Sequence, residues 1–151
     1  MSSFFDTQPL RVRLATTLQF LSAVLLGTAL MVGAASATDV KVHLTGGEET
    51  PPVTTTASAN GTIMIGADKS VSGSLKAVGI DGTMAHIHLG APGVAGPPII
   101  TLVKGADGLW SVPAGSTLTD DQYASFKAGN LYVNVHSAAH PPGEIRGQLK
   151  P

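Results

Sequence analysis

The 151-residue sequence contains no cysteine, few aromatic residues and few charges. Without cysteine the chain forms no disulfide, performs no thiolate chemistry and cannot be a cysteine-anchored lipoprotein. Aromatic residues make up 5% of the sequence and charged residues 13%, with 9 Lys and Arg against 10 Asp and Glu. This balance argues against nucleic-acid partners and anionic membrane surfaces, because both require clustered positive charge.

The N-terminal segment is typical of a secretory signal peptide. Arg11 and Arg13 supply a positive flank, the apolar run LATTLQFLSAVLLGTALMVG follows, and Ala35-Ser36-Ala37 matches a small-residue cleavage site. We therefore predict a signal peptide over residues 1–37, a single domain over residues 38–151, and a periplasmic or secreted location. No membrane contact is expected after cleavage.

An uncleaved membrane anchor is the competing interpretation of this segment. Leu14–Ala37 is about long enough to cross a bilayer, although threonine, serine, glutamine and glycine dilute it. An exported chain without disulfides must draw its stability from a hydrophobic core or from a bound metal ion.

Short apolar or alternating segments, separated by glycine and proline, occupy the rest of the chain. This pattern is typical of an all-β sandwich or barrel. The predicted strands are Val40–Leu44, Gly61–Ile65, Val71–Val78, Met84–Leu89, Pro98–Val103, Leu109–Val112, Leu131–His136 and Glu144–Leu149. About eight short strands need two packed sheets or a closed barrel to bury one face each.

One segment has a helical pattern instead. Thr119 is followed by Gln122 at the spacing of a capping box, and Gly129 provides a stop signal. We predict one short helix near residues 119–128 that closes one end of the sandwich.

Four of the five histidines form two clusters in the sequence, His86 with His88 and His136 with His140. On a strand, residues i and i+2 share a face, so His86 and His88 project together with about 7 Å between their Cα atoms. Met84 lies on the same face and offers a thioether to a soft ion such as Cu(I).

The segment LYVNVH divides cleanly between two faces. Its alternation places Leu131, Val133 and Val135 on one face, and Tyr132, Asn134 and His136 on the other. If the two histidine strands are neighbours, three imidazoles converge with an open fourth position that suits Cu(II) or Zn(II), and His140 lies on the adjoining loop. The candidate metal ligands are therefore His86, His88, His136, His140 and Met84.

The alternative is that these histidines are exposed or hydrogen-bonded to backbone, with no metal. His43 stands alone, and we expect it on the surface. Glu144 and Arg146 share a predicted strand face, where an ion pair or cross-strand polar contacts are the favoured interpretation. The alternative has Arg146 guiding an anion or holding a loop carbonyl. The sequence contains no nucleophile elbow, phosphate loop or H-E-x-x-H motif, so no catalytic residue is nominated and an enzyme is not expected.

Three segments carry a resemblance to a known family: LTGGEETPPV (44–53), AHIHLGAPGVAGPPIITL (85–102) and GNLYVNVHSAAHPPGEIRGQL (129–149). Together they resemble the CHRD family, the domain named from chordin, over residues 40–150. The resemblance implies an immunoglobulin-like Greek-key β-sandwich that in bacteria often stands alone behind a signal peptide. It implies no catalytic residues, and the polar signature it points to is His86, His88, His136, Glu144 and Arg146.

The segment HIHLGAPGVAGPP is also faintly similar to the copper-binding strand of copper/zinc superoxide dismutase. The disulfide cysteines of that family and a clear zinc-site aspartate are missing. Three functions are therefore weighed: a non-enzymatic module that binds copper, or less favourably zinc; an envelope or extracellular protein-interaction module without metal; and a dismutase-like redox enzyme.

Overall fold

The computed structural model of the protein describes residues 36–151. The predicted signal peptide lies almost entirely outside the described residues, so its cleavage stays a prediction. Within residues 36–151, no helix is both long and apolar enough to cross a membrane.

The described chain folds into an antiparallel sheet of nine strands, with one α-helix and two short 3-10 turns. The strands are β1 (Ala37–Thr45), β2 (Ser58–Gly66), β3 (Val71–Val78), β4 (Gly82–Leu89), β5 (Pro98–Thr101), β6 (Val103–Lys104), β7 (Leu109–Ser111), β8 (Leu131–Ser137) and β9 (Ile145–Leu149), and the helix is α1 (Asp120–Lys127). The all-β, sandwich-like fold class is confirmed.

The strand order in the sheet is β5-β4-β8-β9-β1-β2-β3-β7-β6. The two edge strands, β5 and β6, are separated along the chain by Leu102 alone. The sheet therefore curls round until its two edges meet on one segment, which gives it a nearly barrel-like shape. The predicted strand Pro98–Val103 is two strands because the Leu102 side chain is buried and its N–H donates to the Ala85 carbonyl at 2.9 Å.

The inner surface of the curled sheet holds the hydrophobic core. Strand β1 illustrates the cause, since its residues alternate between buried and exposed, with Val40, Val42 and Leu44 facing inward. The fully buried apolar side chains include Leu44, Ile63, Ile65, Leu75, Ile87, Phe126, Leu131, Val133, Val135, Ile145 and Leu149.

The helix forms as its sequence predicts. Thr119 Oγ1 accepts from the Gln122 N–H at 3.2 Å, and Gln122 Oε1 accepts from the Thr119 N–H at 2.9 Å, so the capping box is complete. Phe126 anchors the helix in the core, and Gly129 follows it with φ of +75°.

Strand β8 departs from the pattern of β1. All seven of its residues are buried, including the polar residues that the alternation turns away from the core. Something other than the hydrophobic core must therefore cover its outer face.

Candidate metal centre

The outer faces of β4, β8 and β9 carry a continuous polar layer, here called the outer polar layer. Its members are His86, His88, Tyr132, Asn134, His136, Arg146 and Gln148. The register places Asn134 opposite His86 on β4 and opposite Arg146 on β9. Because the alternate residues of these strands fill the core, the polar residues between them all project outward.

Three loops cover this layer, and each is held by a side chain within it. His88 Nδ1 bonds to the Gly96 carbonyl at 2.8 Å in the 90–97 loop. His136 Nδ1 bonds to the Pro141 carbonyl at 2.8 Å in the 138–144 loop. Arg146 reaches Thr50 Oγ1 at 3.3 Å in the 49–57 loop. The Gly- and Pro-rich loops therefore bury a polar surface against the sheet.

Three histidines of the layer converge, as the sequence predicts. His86 Nδ1 lies 3.0 Å from His136 Nε2. One ring nitrogen from each of His86, His88 and His136 lies within 4.8 Å of the other two. Two nitrogens bound to one ion at ~2.0–2.1 Å are themselves about 3–4 Å apart, so a small side-chain adjustment is sufficient for all three to bind one ion.

The backbone fixes which nitrogens are available to an ion. A carbonyl only accepts hydrogen bonds, so the Nδ1 atoms of neutral His88 and His136 carry the protons and their Nε2 atoms carry lone pairs. His136 Nε2 accepts from His86 Nδ1–H, whereas His88 Nε2 is buried and has no partner among the described residues. A ring N–H held by a carbonyl is the usual support of a metal-binding histidine.

Burial favours the neutral form of two of these histidines, His86 and His88. It lowers the pKa of His88 below the ordinary value of 6.5, against the opposing effect of the Gly96 carbonyl. It also lowers the pKa of His86, with further lowering from the neighbouring His136 and His88. Neutral imidazole is the form that can bind a metal ion, so the lowered pKa values of His86 and His88 extend the pH range over which these two rings could act as ligands.

The other candidate ligands are placed differently. His140 lies outside the three-histidine group, in the turn after β8, where its N–H donates to Ser137 Oγ at 3.2 Å. Met84 lies opposite His136 in the β4–β8 register, and its side chain is 49% exposed. His43 is exposed as expected and bonds to Asn60 Oδ1 at 2.8 Å.

The expected ion pair between Glu144 and Arg146 is wrong. Glu144 precedes β9 instead of lying within it, so the two side chains do not share a strand face, and Glu144 Oε1 accepts from Thr55 Oγ1 at 2.8 Å. Arg146 is 1% exposed and holds loop carbonyls, with bonds of 2.8 Å to Ala91 and 3.1 Å to Val94. The alternative role, holding a loop carbonyl, is therefore the observed one.

Arg146 also supports His88 through an aromatic stack. The guanidinium carbon lies 3.5 Å from the centre of the Tyr132 ring. The same ring stacks on the His88 imidazole, with 4.7 Å between the ring centres and 8° between the planes. Arg146 thus fixes both the 90–97 loop and the plane of the imidazole that this loop orients.

Two buried polar residues of this region were not nominated from the sequence. Glu49 Oε1 and Asn134 Oδ1 are buried and have no hydrogen-bond partner among the described residues. Burial raises the pKa of the Glu49 carboxyl, while the Thr50 N–H and the Asn134 amide oppose this change. The alternation of LYVNVH places Asn134 beside His136, but no spacing rule connects Glu49 to either residue.

The fold and the site together define a curled all-β module that buries a polar layer with a three-histidine cluster beside its apolar core. The sequence model of the CHRD domain matches residues 40–149. Because this match covers more than half of the chain, the protein belongs to the CHRD domain family, as the resemblance in its motifs implies. No curated protein and no solved structure matches the chain significantly.

Proposed function

We propose that this protein is an exported, non-enzymatic CHRD module that binds a transition-metal ion through His86, His88 and His136. The observation that carries the proposal is the convergence of three imidazole nitrogens within 4.8 Å of one another. Storage, delivery or structural locking of the ion are the roles that this site suits.

The hydrogen-bond pattern supports metal binding over a purely structural role. A buried acceptor without a donor costs about 1–3 kcal/mol, and His88 Nε2 is such an acceptor. An ion shared with His136 Nε2 would satisfy it. Three neutral nitrogens suit copper and zinc, and the usual order of affinities favours Cu(II) over Zn(II).

The covering of the site supports binding over turnover. His88 is 7% exposed and His136 6%, and both are tied to loops that lie over them. A substrate would have to displace these loops to reach an ion held there, whereas a stored or structural ion requires no such access.

Copper titration of the purified protein, followed by electron paramagnetic resonance, tests this proposal. We expect one copper per chain with nitrogen ligation, and a loss of affinity of at least roughly a hundredfold in His88→Ala and His136→Ala. His43→Ala is the matched control, because this exposed histidine lies away from the cluster and should bind as the wild type does. A free-copper spectrum, identical in all four proteins, would refute the proposal.

Thermal unfolding separates this function from the protein-interaction alternative. An ion that binds only the native state at 100 times its Kd stabilises that state by about 2.7 kcal/mol, so Cu(II) or Zn(II) should raise the Tm of the wild type. An interaction module without metal predicts no such rise.

Export is tested independently of the metal. The protein recovered from the periplasm or medium should begin at Thr38, after the predicted A-x-A site. An N-terminus before Leu14 would contradict cleavage and favour the anchored interpretation.

A further inference from the structure

Three buried atoms of the outer polar layer and its cover lack hydrogen-bond partners among the described residues. They are His88 Nε2, Asn134 Oδ1 and Glu49 Oε1. They come from β4, from β8 and from the loop after β1, so the fold brings them together from distant parts of the sequence. A folded protein rarely buries acceptors without donors, so this group calls for an explanation.

The Asn134 amide lies between the other two residues. Glu49 Oε1 and Asn134 Nδ2 both lie beside Gly143. A Cβ atom added to this glycine would be 2.4 Å from the first and 2.8 Å from the second. The amide nitrogen therefore faces the carboxyl of Glu49. The amide oxygen is buried on the outer face, where the β4–β8 register makes Asn134 a diagonal neighbour of His88.

Two lone-pair atoms, Asn134 Oδ1 and His88 Nε2, are thus buried on neighbouring positions of the layer without a donor among the described residues. His88 Nδ1 donates its proton to the Gly96 carbonyl at 2.8 Å, so Nε2 has no proton to offer to Asn134 Oδ1. Rotating the amide by 180° would turn its oxygen toward the Glu49 carboxyl, which resolves the conflict only if that carboxyl is protonated. A cation bound by His88 Nε2 and Asn134 Oδ1 would satisfy both lone pairs, with no rotation of the amide and no proton on Glu49.

We propose that Asn134 Oδ1 is the fourth ligand of the metal site, completing a set of three nitrogens and one oxygen, with the Glu49 carboxyl on the side of the amide nitrogen. The proposal rests on the metal-binding function proposed above and specifies the ion as divalent, Cu(II) or Zn(II). Asn134 is suited to the role because it lies on the same strand face as His136 and directly opposite His86.

The competing fourth ligand is Met84, whose thioether would favour Cu(I). Its side chain is half exposed, whereas Asn134 is 1% exposed and already lies within the covered layer. An amide oxygen is a harder donor than a thioether and suits a divalent ion. Two charged residues nearby act on a dication in opposite directions. The Glu49 carboxylate, when ionised, would offset part of its charge, whereas the positive charge of Arg146 would repel it.

Cobalt(II) and zinc(II) binding to matched variants tests the fourth ligand. Asn134→Leu keeps the approximate shape but removes the donor, and should weaken Zn(II) binding at least tenfold and alter the Co(II) absorption bands. Asn134→Asp retains an oxygen and should bind Zn(II) at least as tightly as the wild type. Unchanged Zn(II) affinity in Asn134→Leu, together with a loss in Met84→Leu, would overturn the assignment.

Nuclear magnetic resonance of the unsubstituted protein avoids any dependence on how the variants fold. Zinc coordination through Oδ1 should move the side-chain Cγ and Nδ2 signals of Asn134. The Nδ2 signal is assigned by its loss in Asn134→Asp, and the Cγ signal by its correlation with Nδ2 in the wild type. Zinc binding that shifts the imidazole signals but leaves those of Asn134 in place would overturn the fourth ligand alone. A wild-type protein that binds no metal would overturn the proposed function as well, so the two failures are distinct.

Discussion

The inner and outer faces of β8 are buried to a similar degree by different parts of the molecule. The inner face packs into the core of the curled sheet through Leu131, Val133 and Val135. The outer face carries polar side chains and is covered by loops that these side chains themselves hold. Burial on the inner face is therefore a property of the sheet, whereas burial on the outer face depends on individual hydrogen bonds.

The difference has an energetic consequence. Apolar contacts are non-directional and contribute to stability roughly in proportion to the area removed from water. A buried hydrogen bond contributes only ~0.5–1.5 kcal/mol net, and a buried group left without a partner costs more than that. The inner face thus stabilises the fold. The outer face fixes the positions of its side chains and contributes little, or unfavourably, to the free energy of unfolding.

The largest expected effect on stability comes from a substitution on the inner face, at the residue between two proposed ligands. Ile87→Ala removes a fully buried side chain that lies between His86 and His88 in the sequence, and should cost about 2–5 kcal/mol of unfolding free energy. Urea unfolding of the metal-free protein measures this cost. The metal affinity of the folded variant should change little, and a loss as large as that of His88→Ala would show that the two faces are not separable.

A change in the outer polar layer should have a smaller and more local effect. Arg146→Met leaves the Ala91 and Val94 carbonyls without their donor and should cost about 1–3 kcal/mol. We expect faster hydrogen exchange at amides of the 90–97 loop, while amides of β1 and β2 stay protected.

Arg146→Lys is the matched control for this prediction. Lysine keeps the charge but not the planar fork that serves several carbonyls and stacks on Tyr132. It should therefore resemble Arg146→Met in the exchange of the loop. Wild-type exchange in the lysine variant would mean that the positive charge, and not the geometry, holds the loop.

The smallest expected effect is a dependence of stability on pH, caused by titrating groups on the outer face and its covering loops. The pKa values of His86 and His88 are lowered by burial, so the unfolded chain binds protons before the folded one. The metal-free protein should lose stability as the pH falls through the ordinary value of 6.5 toward the folded values. Glu49, whose pKa is raised, acts in the opposite sense as the pH falls toward 4.5.

Urea unfolding between pH 5 and 8 measures this dependence. Ile87→Ala should show the same slope as the wild type because no titrating group has changed, and His88→Ala should show a shallower slope. Equal slopes in the wild type and His88→Ala would contradict the lowered pKa of His88 as its source.

Local sequence patterns were sufficient to predict much of the fold and part of the site. The alternation of LYVNVH separates the two faces of β8, and the i, i+2 spacing places His86 beside His88. The capping box at Thr119 fixes the start of α1. Each of these features depends on residues within one turn or one strand of each other, so the sequence contains the necessary information directly.

The features that were not predicted depend on contacts between distant segments. A strand face shared by Arg146 and Glu144 was the favoured prediction, but β9 begins one residue after Glu144. Holding a loop carbonyl was only the alternative, because the carbonyls that Arg146 bonds lie more than 50 residues away in the sequence. Glu49 enters the site through a loop whose path is set by tertiary contacts. Gly96 contributes through its carbonyl, and its lack of a side chain is essential because a Cβ would lie 1.7 Å from the Leu89 carbonyl oxygen.

The separation of β5 and β6 by the single residue Leu102 has a consequence for behaviour at high concentration. Open sheets polymerise when a long unpaired border recruits a strand from another molecule. Here the two edges are strands of four and two residues, joined to each other through Leu102. A second molecule therefore finds little continuous backbone to pair with at either edge of the sheet.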